Sequence, residues 1–344
     1  MQKRIWSSGK LLNAKGELET KGYATSLLLE YNRRDIKAHP LCVKEWDYYL
    51  IHNDKYAVAL TIADNSYMGL LSVSFIDFQV PWYKTASVMK AFPLGGMGLP
   101  GTSGTGDISY SNDRISLSFK HITDGKRELS CRMNRFLKRD SFSCKLILSE
   151  EPDESMVIAT PFPGKPKAFY YNQKINCMKA EGYAVIGHKK YSFDKENSFA
   201  TLDWGRGVWP YRNTWYWGSA SGEIEGSAFG FNIGYGFGDT SAATENMLFY
   251  KGKAHKLDKV QFHIPKSGDA YSYMDPWTFS SNEERLMLDF QPILDRRDHS
   301  SIGIISSKQH QVFGRFTGKA VLDGGEQLEI KDFLGFAERV ENKW

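Results

Sequence analysis

Alternation of apolar and polar side chains is the dominant pattern along this chain. Ile115, Leu117 and Phe119 alternate with serine, and the same two-residue period recurs at 142–148 and 260–264. Successive side chains of a β-strand point to opposite faces, so this period predicts strands that are buried on one face. Clusters of Gly, Asn and Asp separate these stretches and predict tight turns.

Helical periodicity is scarce. The stretch 81–92 could form a short helix, but Thr85 and Val88 favour a strand equally. Many short strands without intervening helices predict an all-β sandwich or barrel rather than a doubly wound dinucleotide fold. A chain of 344 residues is long for a single core. We therefore expect two domains, 1–205 and 206–344.

Composition narrows the classes of function. The net charge is +4, and the 44 basic and 40 acidic residues are well mixed, which does not favour nucleic-acid binding. No apolar run approaches the roughly 20 residues of a membrane span. The stretch 1–12 lacks the apolar run of a signal peptide. We therefore expect a cytoplasmic protein with neither a membrane span nor a nucleic-acid partner.

Cysteine and glycine patterns bear on metals and cofactors. Cys42, Cys131, Cys144 and Cys177 are scattered without C-x-x-C pairs, which predicts free thiols and no metal site. The stretch 94–107 contains six glycines and a formal G-x-G-x-x-G match. No helix-forming sequence follows this match, so we predict a mobile loop or barrel mouth, and no cofactor.

The Asp203–Tyr216 segment, with Trp217 just beyond it, concentrates the candidate chemistry. It combines one carboxylate with arginines and many aromatic rings. Aromatic walls with a few polar groups are typical of a small-molecule pocket, and a carboxylic acid among them can act as a general acid. We predict Asp203 as the catalytic residue. The predicted ligand-binding residues here are Trp204, Arg206, Trp209, Tyr211, Trp215 and Trp217.

A second cluster follows alternating glycines. Glu245 and Asn246 precede an apolar strand and are predicted as polar ligand-binding groups at a barrel mouth. Purely structural roles explain both clusters as well. Asp203 would then pair with Arg206 at a turn, and Asp239 would cap a tight loop.

Several strings resemble an uncharacterised, mainly bacterial family known as domain of unknown function 2804. They are LDWGRGVWPY at 202–211 and the stretches 44–49, 81–86, 244–250 and 310–314. More remotely, the Asp-Trp-Gly string is similar to the Asp-x-x-Trp-Gly region of tandem lipocalin-like proteins, which include carotenoid 1,2-hydratases. This resemblance implies two tandem lipocalin-like (calycin) antiparallel β-barrels and an apolar ligand. In the hydratases an aspartate is thought to protonate an alkene, and Asp203 is the residue that matches it.

Three functions stay open at this point. The first is binding of an apolar or aromatic small molecule in a lipocalin-like pocket. The second is a cofactor-free hydratase, isomerase or cyclase that uses Asp203 as general acid. The third is a structural or partner-binding protein in which the aromatic cluster is core.

Overall fold

A computed structural model describes residues 2–343, which form two large antiparallel sheets and two small two-stranded sheets and contain no α-helix. The strands of the first part are β1 (Gly9–Lys10), β2 (Gly22–Ala24), β3 (Leu29–Glu30), β4 (Val43–His52), β5 (Tyr56–Asp64), β6 (Met68–Asp77), β7 (Trp82–Ala91), β8 (Ile108–Ser111), β9 (Ile115–His121), β10 (Arg127–Leu137), β11 (Asp140–Ser149), β12 (Met156–Phe162), β13 (Lys165–Ile186), β14 (Lys189–Phe193) and β15 (Phe199–Val208).

The rest of the chain contributes a further eleven strands. They are β16 (Arg212–Ile224), β17 (Ser227–Tyr235), β18 (Met247–Tyr250), β19 (Lys253–Lys256), β20 (Val260–His263), β21 (Lys266–Ser267), β22 (Ala270–Tyr271), β23 (Trp277–Ser281), β24 (Leu286–Ile302), β25 (Ile305–Val321) and β26 (Gln327–Lys343). Two three-residue 3-10 helices, Arg33–Asp35 and Pro40–Cys42, precede β4. Neither is long enough to cross a membrane.

The alternating patterns form strands as predicted. Ile115, Leu117 and Phe119 are buried along β9, with more exposed residues between them. The ambiguous stretch 81–92 is a strand, β7, whose β-branched residues suit an extended backbone. The all-β prediction is confirmed.

Each large sheet follows the strand order of an up-and-down barrel. The first runs β7-β6-β5-β4-β15-β13-β11-β10-β9-β8, and the second runs β19-β18-β17-β16-β26-β25-β24-β23-β20. In the first sheet β12 and β14 also pair with β13, and β2 pairs with β12. In the first sheet the last strand, β15, pairs with β4, and in the second sheet the last strand, β26, pairs with β16. One seam stays unpaired, between β7 and β8 in the first sheet and between β19 and β20 in the second. Two antiparallel, barrel-like sheets in tandem confirm the predicted fold class.

The glycine-rich stretch 94–107 crosses the seam of the first sheet. Backbone amides of Gly95 and Met97 donate hydrogen bonds to the carboxylate of Asp64, at 2.8 and 3.2 Å. The carbonyl of Pro100 accepts from Arg206, at 2.8 Å. Polar contacts therefore hold this connection to the barrel at Gly95, Met97 and Pro100.

The position of β15 determines what its side chains meet. It lies between β4 and β13 in the middle of the first sheet, and all ten of its residues are buried. A strand buried on both faces has a packed layer on each side. One face of β15 meets the interior of the first barrel, and the other meets the second sheet. The predicted boundary after residue 205 falls inside β15, and the division into domains stays a prediction.

Candidate functional site

The strand β15 sends neighbouring residues of the predicted segment to opposite sides. Asp203 faces Lys174, whose ammonium lies 4.0 Å from the ring centroid of Trp217 in the second sheet. Trp204 points the other way and packs edge-on against Tyr171 inside the first barrel. The segment therefore does not line a single pocket.

Arg206 also lies on the first-barrel face and is fully buried. Its guanidinium donates to Asp47 Oδ1 at 2.9 Å and to the carbonyls of Pro100 and Trp46, both at 2.8 Å. It also lies 4.3 Å from the ring centroid of Trp204. Arg206 pairs with Asp47 and Asp203 pairs with Lys174, so the predicted Asp203–Arg206 pair is wrong.

On the other face of β15, a row of neighbouring residues from the first sheet faces a row from the second sheet. Lys174 of β13 is registered with Asp203 of β15, and Trp217 of β16 is registered with Glu338 of β26. The contact between Lys174 and Trp217 joins the rows. We name the buried polar cluster at this junction the inter-sheet site: Tyr170, Asn172, Lys174, Asp203, Glu245 and Glu338.

The pair of Lys174 and Asp203 is the charged centre of the inter-sheet site. The Lys174 ammonium lies 2.8 Å from Asp203 Oδ1, and the Asn172 amide donates to the same oxygen at 2.7 Å. The Lys174 side chain is 1% exposed, whereas that of Asp203 retains 10% exposure. Two donors on one oxygen suit a carboxylate that accepts hydrogen bonds.

Glu245 is the second acidic group of the inter-sheet site. Burial raises its pKa to about 7, and the negative charge of Asp203 acts in the same direction, while the nearby Lys174 lowers it. The Tyr170 hydroxyl donates to Glu245 Oε2 at 3.4 Å. Within residues 2–343, Oε1 is buried without a hydrogen-bond partner. Glu245 therefore has an unpaired oxygen and can change protonation state near neutral pH.

Glu338 is the third acidic group, and it enters from the second sheet. The Trp215 indole N–H donates to Oε1 at 3.0 Å, and the Gln311 amide donates to Oε2 at 3.0 Å. Burial raises the pKa of Glu338, although the positive charge of Arg296 opposes this shift. Three carboxyl groups thus surround the single ammonium of Lys174.

Aromatic rings form one wall of the inter-sheet site. Tyr170 stacks on Phe237 with ring centroids 4.9 Å apart, and Trp209 packs edge-on against both Tyr170 and Trp215 at 5.5 Å. Gly205 makes room for this wall, because a Cβ atom there would lie 2.1 Å from the ring of Trp46. The rings of Tyr170, Trp209 and Phe237 are almost fully buried and pack on one another, so the wall is a dense aromatic layer.

The structure brings five of the predicted residues to the inter-sheet site or its aromatic wall: Asp203, Trp209, Trp215, Trp217 and Glu245. The other four lie elsewhere. Trp204 and Arg206 face the first barrel, and Tyr211 is exposed. Asn246 accepts from the Gly234 amide at 2.7 Å and donates to the Asp258 carbonyl at 2.8 Å, which fixes a loop.

Sequence reasoning missed Lys174, Tyr170 and Glu338. Lys174 follows the polar residues Asn172 and Gln173 in β13, and all three are buried although no apolar pattern marks the position. A lysine at such a position is seldom buried without a partner. The described chain has no group of three or more His, Cys, Asp or Glu side chains placed to hold a metal ion.

The raised pKa of Glu245 predicts a pH-dependent stability. Its ordinary value is 4.5, so folding favours the protonated form, and the free energy of unfolding falls as pH rises from 4.5 to about 7. That shift corresponds to about 3 kcal/mol. Glu245→Gln removes this dependence. Urea denaturation of both proteins across this pH range is the measurement, and parallel stability curves would contradict the assignment.

The fold and the inter-sheet site together define a class of protein: two lipocalin-like barrels in tandem, with a buried acid–base cluster between their sheets. The chain belongs to the family described as Domain of unknown function (DUF2804), whose profile matches residues 2–344. The family resemblance of the sequence is thus confirmed. Among curated proteins, no sequence matches the chain.

Solved structures show the same fold at low sequence identity. A proposed AttH from Nitrosomonas europaea is 16% identical, with a TM-score of 0.54 over 90% of this chain and 96% of that chain. Kievitone hydratase from Nectria haematococca is 11% identical, with a TM-score of 0.52 over 98% of both chains. These likenesses establish the tandem lipocalin-like architecture and leave function to be argued from the site.

Proposed function

We propose that this protein binds an apolar or aromatic small molecule between its two sheets and catalyses a cofactor-free proton transfer on it. Hydrations, isomerisations and cyclisations belong to this reaction class. The observation that carries the proposal is Glu245: a buried carboxyl group with an unpaired oxygen and a pKa of about 7, beside a lysine–aspartate pair.

Glu245 fits the role of general acid better than Asp203 does. An efficient proton donor has a pKa near the working pH, and burial brings Glu245 to that range. Asp203 accepts hydrogen bonds from Lys174 and Asn172, which suits a carboxylate that orients the ammonium. In this scheme Lys174 and Asp203 position the substrate and balance the charge that proton transfer creates.

A hydration shows how the groups would act. Glu245 would give its proton to one carbon of an alkene, and the aromatic wall would stabilise the cation on the neighbouring carbon. Water would bond to that carbon and return its surplus proton to the Glu245 carboxylate. A hydration is also the reaction that the name kievitone hydratase gives for the Nectria haematococca protein, which shares the fold.

Mass spectrometry provides the test. We expect the native protein to retain an apolar compound, and incubation of that compound with the protein in heavy water should add deuterium or a water molecule. Glu245→Gln should still bind it but slow the conversion by about 100-fold or more. The matched control, Glu128→Gln, changes a partly exposed carboxylate that pairs with Lys145, and it should leave the rate unchanged. Equal rates in the native protein and Glu245→Gln would disprove the proposed chemistry.

We also propose a cytoplasmic location, which the cysteines support. All four are free thiols, although Cys131 and Cys144 stand directly opposite each other on β10 and β11. An oxidising compartment would favour a bond between such neighbours. Freshly isolated protein, unfolded without reductant, is expected to titrate with four thiols. Two protected thiols would contradict the cytoplasmic location.

A further inference from the structure

The second barrel contains a cleft that is separate from the inter-sheet site. Its volume is about 830 Å³, and it is lined by residues of β24, β25 and β26 and by the 269–275 stretch. His310 of β25 lies in this cleft. A cleft of this size accommodates a fused aromatic ring system.

The imidazole of His310 is held in one orientation by two neighbours. Its Nδ1 lies 2.7 Å from Asp295 Oδ2, and Tyr273 stacks on the imidazole with ring centroids 3.8 Å apart and planes 10° apart. In neutral imidazole, an Nδ1–H that donates to a carboxylate leaves Nε2 as an acceptor. Within the described chain, Nε2 makes no hydrogen bond.

The remaining groups of the cleft favour a neutral aromatic ligand. Arg339 is already engaged: it pairs with Glu341, and its Nε donates to the Tyr216 hydroxyl at 3.0 Å. Cations and anions both line the cleft and leave no strong excess of either sign: Arg297, Lys308 and Arg339 against Asp269, Asp275, Asp295 and Glu341. Tyr271 and Tyr273 pack beside each other with ring centroids 5.7 Å apart. Lys266 and Arg339 lie over the ring of Tyr271, and His310 covers one face of Tyr273.

We propose that this cleft is a second ligand site, which binds a phenol or another hydroxylated aromatic compound. The aromatic body lies in the cleft beside the partly exposed Tyr271 and Tyr273, and the hydroxyl group donates a hydrogen bond to His310 Nε2. Asp295 acts as a positioning residue, because it fixes the tautomer and direction of the imidazole. The proposal is independent of the chemistry proposed for the inter-sheet site.

Binding of two fluorescent probes to the full chain provides the test. 2-Naphthol can donate a hydrogen bond, whereas 2-methoxynaphthalene has nearly the same shape and cannot. We expect the native protein to bind 2-naphthol about tenfold more tightly, the value of one good hydrogen bond. Equal affinity for the two probes in the native protein would overturn the proposal without any variant.

Two variants test whether 2-naphthol binds in this cleft. His310→Phe keeps a ring stacked on Tyr273 but removes both nitrogens, so it should abolish the preference for 2-naphthol. His263→Phe, an exposed histidine of β20 outside the cleft, is the matched control and should keep the preference. A preference that survives in His310→Phe would overturn the proposal. The proposal would also be overturned if Glu245→Gln abolished the preference for 2-naphthol and His310→Phe did not, because the probe would then occupy the inter-sheet site.

Discussion

Asp203→Asn is expected to lower the free energy of unfolding by about 3 kcal/mol, because it leaves the buried ammonium of Lys174 without its closest partner. This figure is at the lower end for a broken buried pair, since Glu245 and Glu338 remain within electrostatic reach of Lys174. Asparagine preserves the shape of the side chain, so the loss reports on charge. Urea denaturation with a tryptophan fluorescence readout measures it.

Two further variants make the result specific to the pair. Lys174→Met in the Asp203→Asn background removes the unpaired charge and should restore much of the lost stability. Asp153→Asn makes the same chemical change in the exposed pair with Lys253 and should leave stability unchanged. If Asp203→Asn behaves like Asp153→Asn, the charged centre of the inter-sheet site is incorrectly assigned.

Arg206→Lys is expected to lower the free energy of unfolding by about 3 kcal/mol while the positive charge is retained. The planar guanidinium reaches Asp47 and several carbonyl groups at once, and a lysine ammonium cannot match that geometry. The lost contact with the Pro100 carbonyl should also release the stretch 94–107 from the barrel.

Limited proteolysis separates this second effect from general destabilisation. Under native conditions, early cleavage of Arg206→Lys should fall within 94–107. Arg212→Lys, an exposed arginine at the start of β16, is the control and should show the native cleavage pattern. Unchanged stability together with native cleavage would mean that Arg206 does not anchor this stretch, and a direct role in ligand binding would regain support.

The fold was largely predictable from local pattern. Alternation and turn residues identify strands such as β9 without any knowledge of their partners. The same rule also applies to the candidate site, because Asp203 and Trp204 are consecutive residues of one strand and must face opposite sides. The prediction that residues 203–217 line one pocket did not take this alternation of sides into account.

The partners of Asp203 could not be predicted from the sequence. Lys174 reaches it through the register between β13 and β15, and that pairing contains a bulge between Ile175 and Met178. Glu338 approaches from another sheet, more than a hundred residues along the chain. Register and sheet packing depend on tertiary contacts that one sequence does not display.

The central position of β15 also governs the order of events during synthesis. The strands β4 to β7 and β8 to β13 can pair among themselves as they leave the ribosome, but only β15 joins these two groups. Until residue 208 has emerged, we therefore expect the first barrel to consist of two unjoined meanders with exposed edges on β4 and β13. The second barrel repeats this dependence, because β26, the last strand to be made, must pair with β16. We therefore expect each barrel to form in two halves, which are joined only when its final strand has been made.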